Sequence, residues 1–268
     1  MNPAPRAINP LFPKGVTTAI LSLCLCWILS CATAPVTGRS QLLLINEGQE
    51  IALGIKSYQE ILQKTELSRD QRIIDMVTRV GNKVAAAANR PDYEWEFKVI
   101  DDKDTANAFA LPGGKVAVYT GLLPYTQNEA GLAFVLAHEV AHAIARHGGE
   151  RISQQLLIGL GQEGLNLAIG SQSPVAIQAI NQAYGVASAV GITLPFSRRQ
   201  EYEADHIGLI LMAQSGYDPR EAPKFFERMM SEKKDAGPPA FLSTHPADAQ
   251  RIQTIYKLIP EALGYYRN

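Results

Sequence analysis

"VLAHEVAHAIARH", residues 135–147, places two histidines four positions apart with a glutamate directly after the first. Four residues advance an α-helix by about 400°, so His138 and His142 leave one face a turn apart and can share a metal ion through their imidazole nitrogens. Glu139 lies about 100° round from His138, which puts its carboxylate beside that ion as a base for a polarised water rather than as a ligand. The flanking Val135, Leu136, Val140, Ala141 and Ile144 are uncharged, as a helix buried behind a site requires. Zinc, one ion per chain, is the metal this spacing fits.

A catalytic zinc site normally offers three protein ligands, so a third must lie elsewhere. The metzincin spacing would need glycine at 145 and histidine at 148, where this chain has Ala145 and Gly148. On a continuous helix His147 is about 140° from His142, which reads as a helix-end or outer histidine rather than a ligand. "SRRQEYEADHIG" (197–208) offers Glu201 and Asp205 four apart on one face. One can bind the metal while the other accepts an N–H from a ligating imidazole. Glu203 is an equally available carboxylate, and a solvated acidic helix face is the plain alternative.

Around this motif the chain has 268 residues, 46% of them hydrophobic, and a net charge of -1, which suits one large or two small globular domains. No block of basic residues provides a footprint for nucleic acid. Arg6 and Lys14 precede the apolar run "VTTAILSLCLCWIL" (16–29), the order of a secretory signal, and the run is short for a membrane span. "ILSC" (28–31) resembles a bacterial lipobox, so residues 1–30 are expected to be a signal peptide and Cys31 the lipidated residue; an uncleaved membrane anchor is the alternative. Loss of Cys24 and Cys26 with the signal and lipidation of Cys31 would leave no free thiol, excluding thiol catalysis and cysteine-ligated zinc. Ala32 after that cysteine favours the outer membrane of a Gram-negative host.

Residues 31–45 are expected to be a linker and 46–268 a single domain. Ile51, Ile55, Tyr58 and Leu62 mark a helix over 46–64, and a second is expected over 69–89, stopped by Pro91. Alternation over 93–100, and two runs joined by Pro-Gly-Gly within 107–123, predict a small mixed sheet. A helix over 127–147 carries the motif, with Gly148 and Gly149 as its stop. Further helices are expected over 197–214 and 219–233 and after Pro246. Between Ile152 and Ser197 the only charged residue is Glu163, which suggests packed helices with a mobile cover as the alternative. No internal repeat is evident.

"HEVAH", "EYEAD" some sixty residues later, and "THPADAQRI" (244–252) together resemble the metallopeptidase family of CAAX prenyl proteases, HtpX-type proteases and mitochondrial Oma-type proteases. "CATAPVTGRSQLLLI" (31–45) and "NAFALPGGKVAVYTGLL" (107–123) are similar to the exported BepA- and LoiP-type lipoproteins of that family. The resemblance implies an α+β, mostly helical, gluzincin-like zincin fold with a small mixed sheet. It implies Glu201 as the third zinc ligand, Asp205 as the carboxylate orienting a ligand histidine, and His245 at the metal site. There His245 either stabilises the transition state or acts as a fourth, water-displacing ligand that keeps the enzyme resting. Neither a C-terminal helical-repeat domain nor multiple membrane spans are expected from the sequence, so docking through repeats and prenylated or integral-membrane substrates are not expected either.

The expected reaction is peptide-bond hydrolysis with Glu139 as base, the substrate lying extended along an exposed strand edge formed by Asn107, Ala108, Phe109 and Ala110. Unfolded or misassembled envelope polypeptides are the expected substrates, and the chain is expected on the periplasmic face, held to the membrane by its lipid. The rival reading is a zinc-bearing chaperone or assembly factor whose site His245 holds shut. A purely structural zinc site would have no use for Glu139.

Overall fold

The computed structural model describes residues 31–159, 196–231 and 238–267. Most of the long helices begin at a side-chain cap that the sequence carries. Asn46 accepts from the Gln49 N–H and opens α1 (Glu47–Lys64), and Asp70 opens α2 (Gln71–Ala88), which closes on Asn89 at φ 49°. Three strands follow: β3 (Glu96–Ile100), β4 (Ala108–Leu111) and β5 (Lys115–Tyr119). Gly113 and Gly114, at φ 88° and 83°, make the turn between the last two. The sheet order is β3-β5-β4, with β5 parallel to β3 and antiparallel to β4, so the sheet is mixed as the sequence predicts.

Both faces of this sheet are covered. Ala108, Ala110, Val116 and Val118 join the main core with α2 and α4 (Glu129–Ile144), whereas Phe109, Leu111, Ala117 and Tyr119 pack with Leu53, Tyr58 and Ile152. A short turn of helix, α3 (Leu123–Thr126), leads into α4, which Asn128 caps by accepting from the Gly131 N–H. α4 ends earlier than the sequence suggests. Arg146 takes φ 55° and breaks the chain direction, because its guanidinium donates to Glu50 and to the Ile45 carbonyl. Gly148 and Gly149 consequently lie inside the next helix, α5 (His147–Gly159), and His147 begins a helix instead of finishing one.

α6 (Arg198–Gln214), capped by Ser197 with Gln200, lies directly against α4. The approach is closest at Gly208, where an added Cβ would stand 3.1 Å from the His138 Cα and N. That contact sets α4 and α6 at a fixed separation. Gly208→Val should therefore push the helices apart, costing about 1–3 kcal/mol in overpacking; a thermal scan should show a lowered midpoint, and an unchanged one would contradict this packing.

The remainder closes around that pair. The segment expected as a helix from Pro219 opens as a 3-10 turn (Pro219–Glu221) and continues as α7 (Ala222–Ser231), followed by α8 (Ala240–Thr244) and α9 (Ala249–Leu263). Residues 31–45, expected as a linker, contain an antiparallel hairpin of β1 (Cys31–Thr33) and β2 (Ser40–Leu42), Cys31 facing Leu42. The hairpin is held because Arg39 ion-pairs with Glu150 and Glu203. Among the described residues no helix is long and apolar enough to cross a membrane. The expected signal peptide at 1–30 and most of the low-charge segment, 160–195, lie outside the described residues.

Candidate metal centre

α4 contributes His138, Glu139 and His142, α6 contributes Glu201, Glu203 and Asp205, and His245 stands between α8 and α9. One donor atom from each of His138, His142, Glu201 and His245 lies within 4.8 Å of the others, and all four residues are buried. His138 Nε2 is 3.1 Å from His142 Nε2, 3.3 Å from His245 Nδ1 and 3.5 Å from Glu201 Oε2. Glu201 Oε1 is 3.4 Å from His142 Nε2 and 3.1 Å from His245 Nδ1. Ligands about 2.0–2.1 Å from a tetrahedral zinc ion stand about 3.4 Å apart, so these separations fit a zinc donor set.

The surroundings give each donor a lone pair to offer. His138 Nδ1 lies 3.0 Å from Asp205 Oδ1, so that when the ring is neutral its proton belongs on Nδ1 and Nε2 is free to face a metal. Arg251 holds the two acids: its Nε and Nη2 donate to Asp205 at 2.7 and 2.8 Å, and its Nη1 pairs with Glu201. Burial alone would raise the Glu201 carboxyl, but Arg251 and the imidazoles hold it well below the ordinary range, and Asp205 is lowered in the same way. Burial drives His142 well below 6.5, toward the neutral form that binds metal. Burial also opposes charge on His138, yet hydrogen bonding to Asp205 and Glu201 lifts it to about 9. The site thus attracts positive charge that a dication would supply.

Glu139 is buried beside the cluster without belonging to it. Its Oε1 faces His245 Nε2 at 3.2 Å, and burial pushes its carboxyl up, partly offset by His245 and His138. His147 stays out of the donor set and lies behind His142, its Nδ1 2.9 Å from His142 Nδ1. Phe196 lies over the His142 ring at 3.9 Å between centroids, and Phe241 stacks on His245 at 4.5 Å.

Asn107, Ala108, Phe109 and Ala110 stand next to α4 on the outermost strand, but they are not an exposed edge: each is at most 1% accessible. Their alternating side chains enter the two cores on either side of the sheet. Asn107 is notable because both its amide atoms are buried without a hydrogen-bond partner among the described residues. Arg251 was not singled out in the sequence, although a signal exists. It precedes Ile255 and Ile259 at four-residue intervals, a charge on an apolar helix stripe that has to meet buried acids.

The description "Peptidase family M48" belongs to the family model that matches residues 74–259. The chain is 42% identical over 187 residues to the mitochondrial metalloendopeptidase OMA1 of Schizosaccharomyces pombe, covering 69% of this chain and 53% of that protein. It is 32% identical over 251 residues to mitochondrial metalloendopeptidase OMA1 of Saccharomyces cerevisiae, covering 87% and 70% respectively. It is 28% identical over 232 residues to the beta-barrel assembly-enhancing protease of Escherichia coli, covering 83% of this chain and 46% of that protein. The chain therefore spans about half the length of two of these three relatives.

Proposed function

This chain belongs to peptidase family M48, and from that premise we propose that it is a zinc-dependent endopeptidase of the cell envelope that hydrolyses misfolded or damaged exported polypeptides. The observation that carries the reading is the convergence of His138, His142, Glu201 and His245 on one point, with the Glu139 carboxylate beside it. His138, His142 and Glu201 would hold zinc, which when bound polarises a carbonyl and makes a neighbouring water more acidic.

The chain's own groups supply the rest. Glu139, with its carboxyl raised by burial, takes the proton from water and returns it to the leaving amine. Asp205, clamped by Arg251, holds the His138 tautomer. Asn107, whose buried amide atoms have no hydrogen-bond partner among the described residues, lies at the start of β4 next to α4, and backbone pairing of the kind that accepts many sequences would suit unfolded chains once that end of the strand is uncovered. The signal-like segment at 1–30 supports export, and the lipobox-like "ILSC" supports attachment through Cys31 to a membrane on its periplasmic face, the outer membrane in a Gram-negative host.

The place of His245 Nδ1 among the donors supports the resting-ligand reading of that residue. Purified protein should contain about one zinc per chain and should stop cutting casein in a chelator. His245→Ala should retain zinc and cut casein several-fold faster. Loss of cleavage in His245→Ala would assign the imidazole to transition-state stabilisation instead. If neither the wild type nor His245→Ala cuts casein while holding stoichiometric zinc, the peptidase reading is wrong.

A further inference from the structure

The outer nitrogens of the two ligand histidines on α4 are supported by different parts of the chain. His138 leans on Asp205, which the Arg251 fork holds. His142 leans on a second imidazole: His147 Nδ1 is 2.9 Å from His142 Nδ1, and His147 Nε2 is 3.0 Å from Glu203 Oε2. With His142 Nε2 turned to the metal, one neutral arrangement satisfies both contacts. His142 Nδ1–H donates to His147 Nδ1, and His147 Nε2–H donates to Glu203.

Glu203 is fixed in turn by the N-terminal hairpin. Arg39 Nε donates to Glu203 Oε2 at 2.6 Å, and Thr37 Oγ1 donates to Glu203 Oε1. The other edge of the Arg39 guanidinium spans Glu150 at 2.7 and 2.8 Å, and Gln200 ties Glu150 to the His147 carbonyl at 2.9 and 3.2 Å. The Arg39, Glu150 and Glu203 side chains are each at most 9% accessible. Both support chains therefore end on a buried guanidinium, one from α9 and one from a turn more than a hundred residues before α4's partner helix.

We propose that His147 and Glu203, clamped by Arg39, form a relay that fixes the tautomer and orientation of His142, so that the β1–β2 hairpin sets how tightly the site holds its metal. This rests on the reading of His142 as a zinc ligand. His147, Glu203 and Arg39 are positioning residues: none of them touches the donor point, and each acts through the next.

The test uses the full chain, with zinc affinity measured by chelator competition and the visible spectrum of the cobalt-loaded protein as a second readout. His147→Phe keeps a ring and drops both nitrogens; it should weaken zinc binding about 10–100-fold and shift the cobalt bands. Arg39→Met should weaken binding in the same direction by a smaller factor, and Arg39→Lys should recover part of the loss. Because Arg39 acts through His147, the double variant should bind no worse than His147→Phe alone. If His147→Phe does not fold, as judged by the melting curve of the metal-free chain, isosteric Glu203→Gln must show the weakened affinity and shifted bands. Wild-type affinity and spectrum in the folded relay variants, or losses that simply multiply, would overturn the relay and leave the zinc site standing. A wild-type chain that binds no zinc would overturn both.

Discussion

A Glu139→Gln chain is expected to keep its zinc and to cut casein about 10²–10⁴-fold more slowly than wild type, the usual contribution of a positioned general base. The substitution is isosteric, and Glu139 is not one of the four donors, so the metal should remain. What disappears is the proton acceptor. The carboxylate is buried, its Oε1 stands 3.2 Å from the His245 Nε2, and burial pushes its pKa upward. An amide in the same place can neither take nor return a proton. Cleavage at the wild-type rate with zinc retained would contradict the mechanism, and loss of the metal would mean that Glu139 has a ligand's role.

Arg251→Met should destabilise the metal-free protein by about 3–5 kcal/mol, the cost of leaving buried charges uncompensated. Arg251 is 2% accessible and is the cation shared by Asp205 and Glu201. Methionine fills much of the same space, so the effect measured is chiefly electrostatic. Arg251→Lys should recover only part of the loss, because an ammonium cannot grip Asp205 with two parallel bonds while also reaching Glu201. Denaturant unfolding in chelator gives the number directly. Added zinc should close part of the gap, since a dication at Glu201 replaces some of the missing charge. An unperturbed unfolding midpoint in chelator would show that the two acids do not depend on the guanidinium.

The parts of this molecule that could be read from its sequence are those whose causes are local. Asn46, Asp70 and Ser197 cap helices within a residue or two of the expected starts, because a cap is a short-range hydrogen bond between neighbours. The His138, His142 and Glu139 arrangement is equally local, fixed by helix periodicity. The break at Arg146 was not legible, since it depends on Glu50 and the Ile45 carbonyl about a hundred residues away. The hairpin escaped for the same reason: its strands are three residues long, and its anchor is a carboxylate on α6. The strand edge at Asn107–Ala110 was recognised as a strand, but its burial depends on what covers the sheet on both sides, which alternation alone does not reveal.

The short helix before His245 has one more tie. The Phe241 N–H donates to the Ala106 carbonyl at 2.8 Å, and the His245 N–H donates to the Phe241 carbonyl at the same distance. Successive carbonyls of an extended chain face opposite sides, and the Asn107 carbonyl is taken by Tyr119 of β5, so the Ala106 carbonyl faces away from β5. Any peptide that adds a strand at this end must compete with Phe241 for that acceptor. Two occupants that exclude each other are thermodynamically linked, and each lowers the other's affinity by the same factor. Under the proposed addition of substrate at this end, a tighter hold on His245 would mean a weaker grip on incoming chains, and a sequence able to outbid one backbone N–H would gain its place by loosening the turn that seats His245.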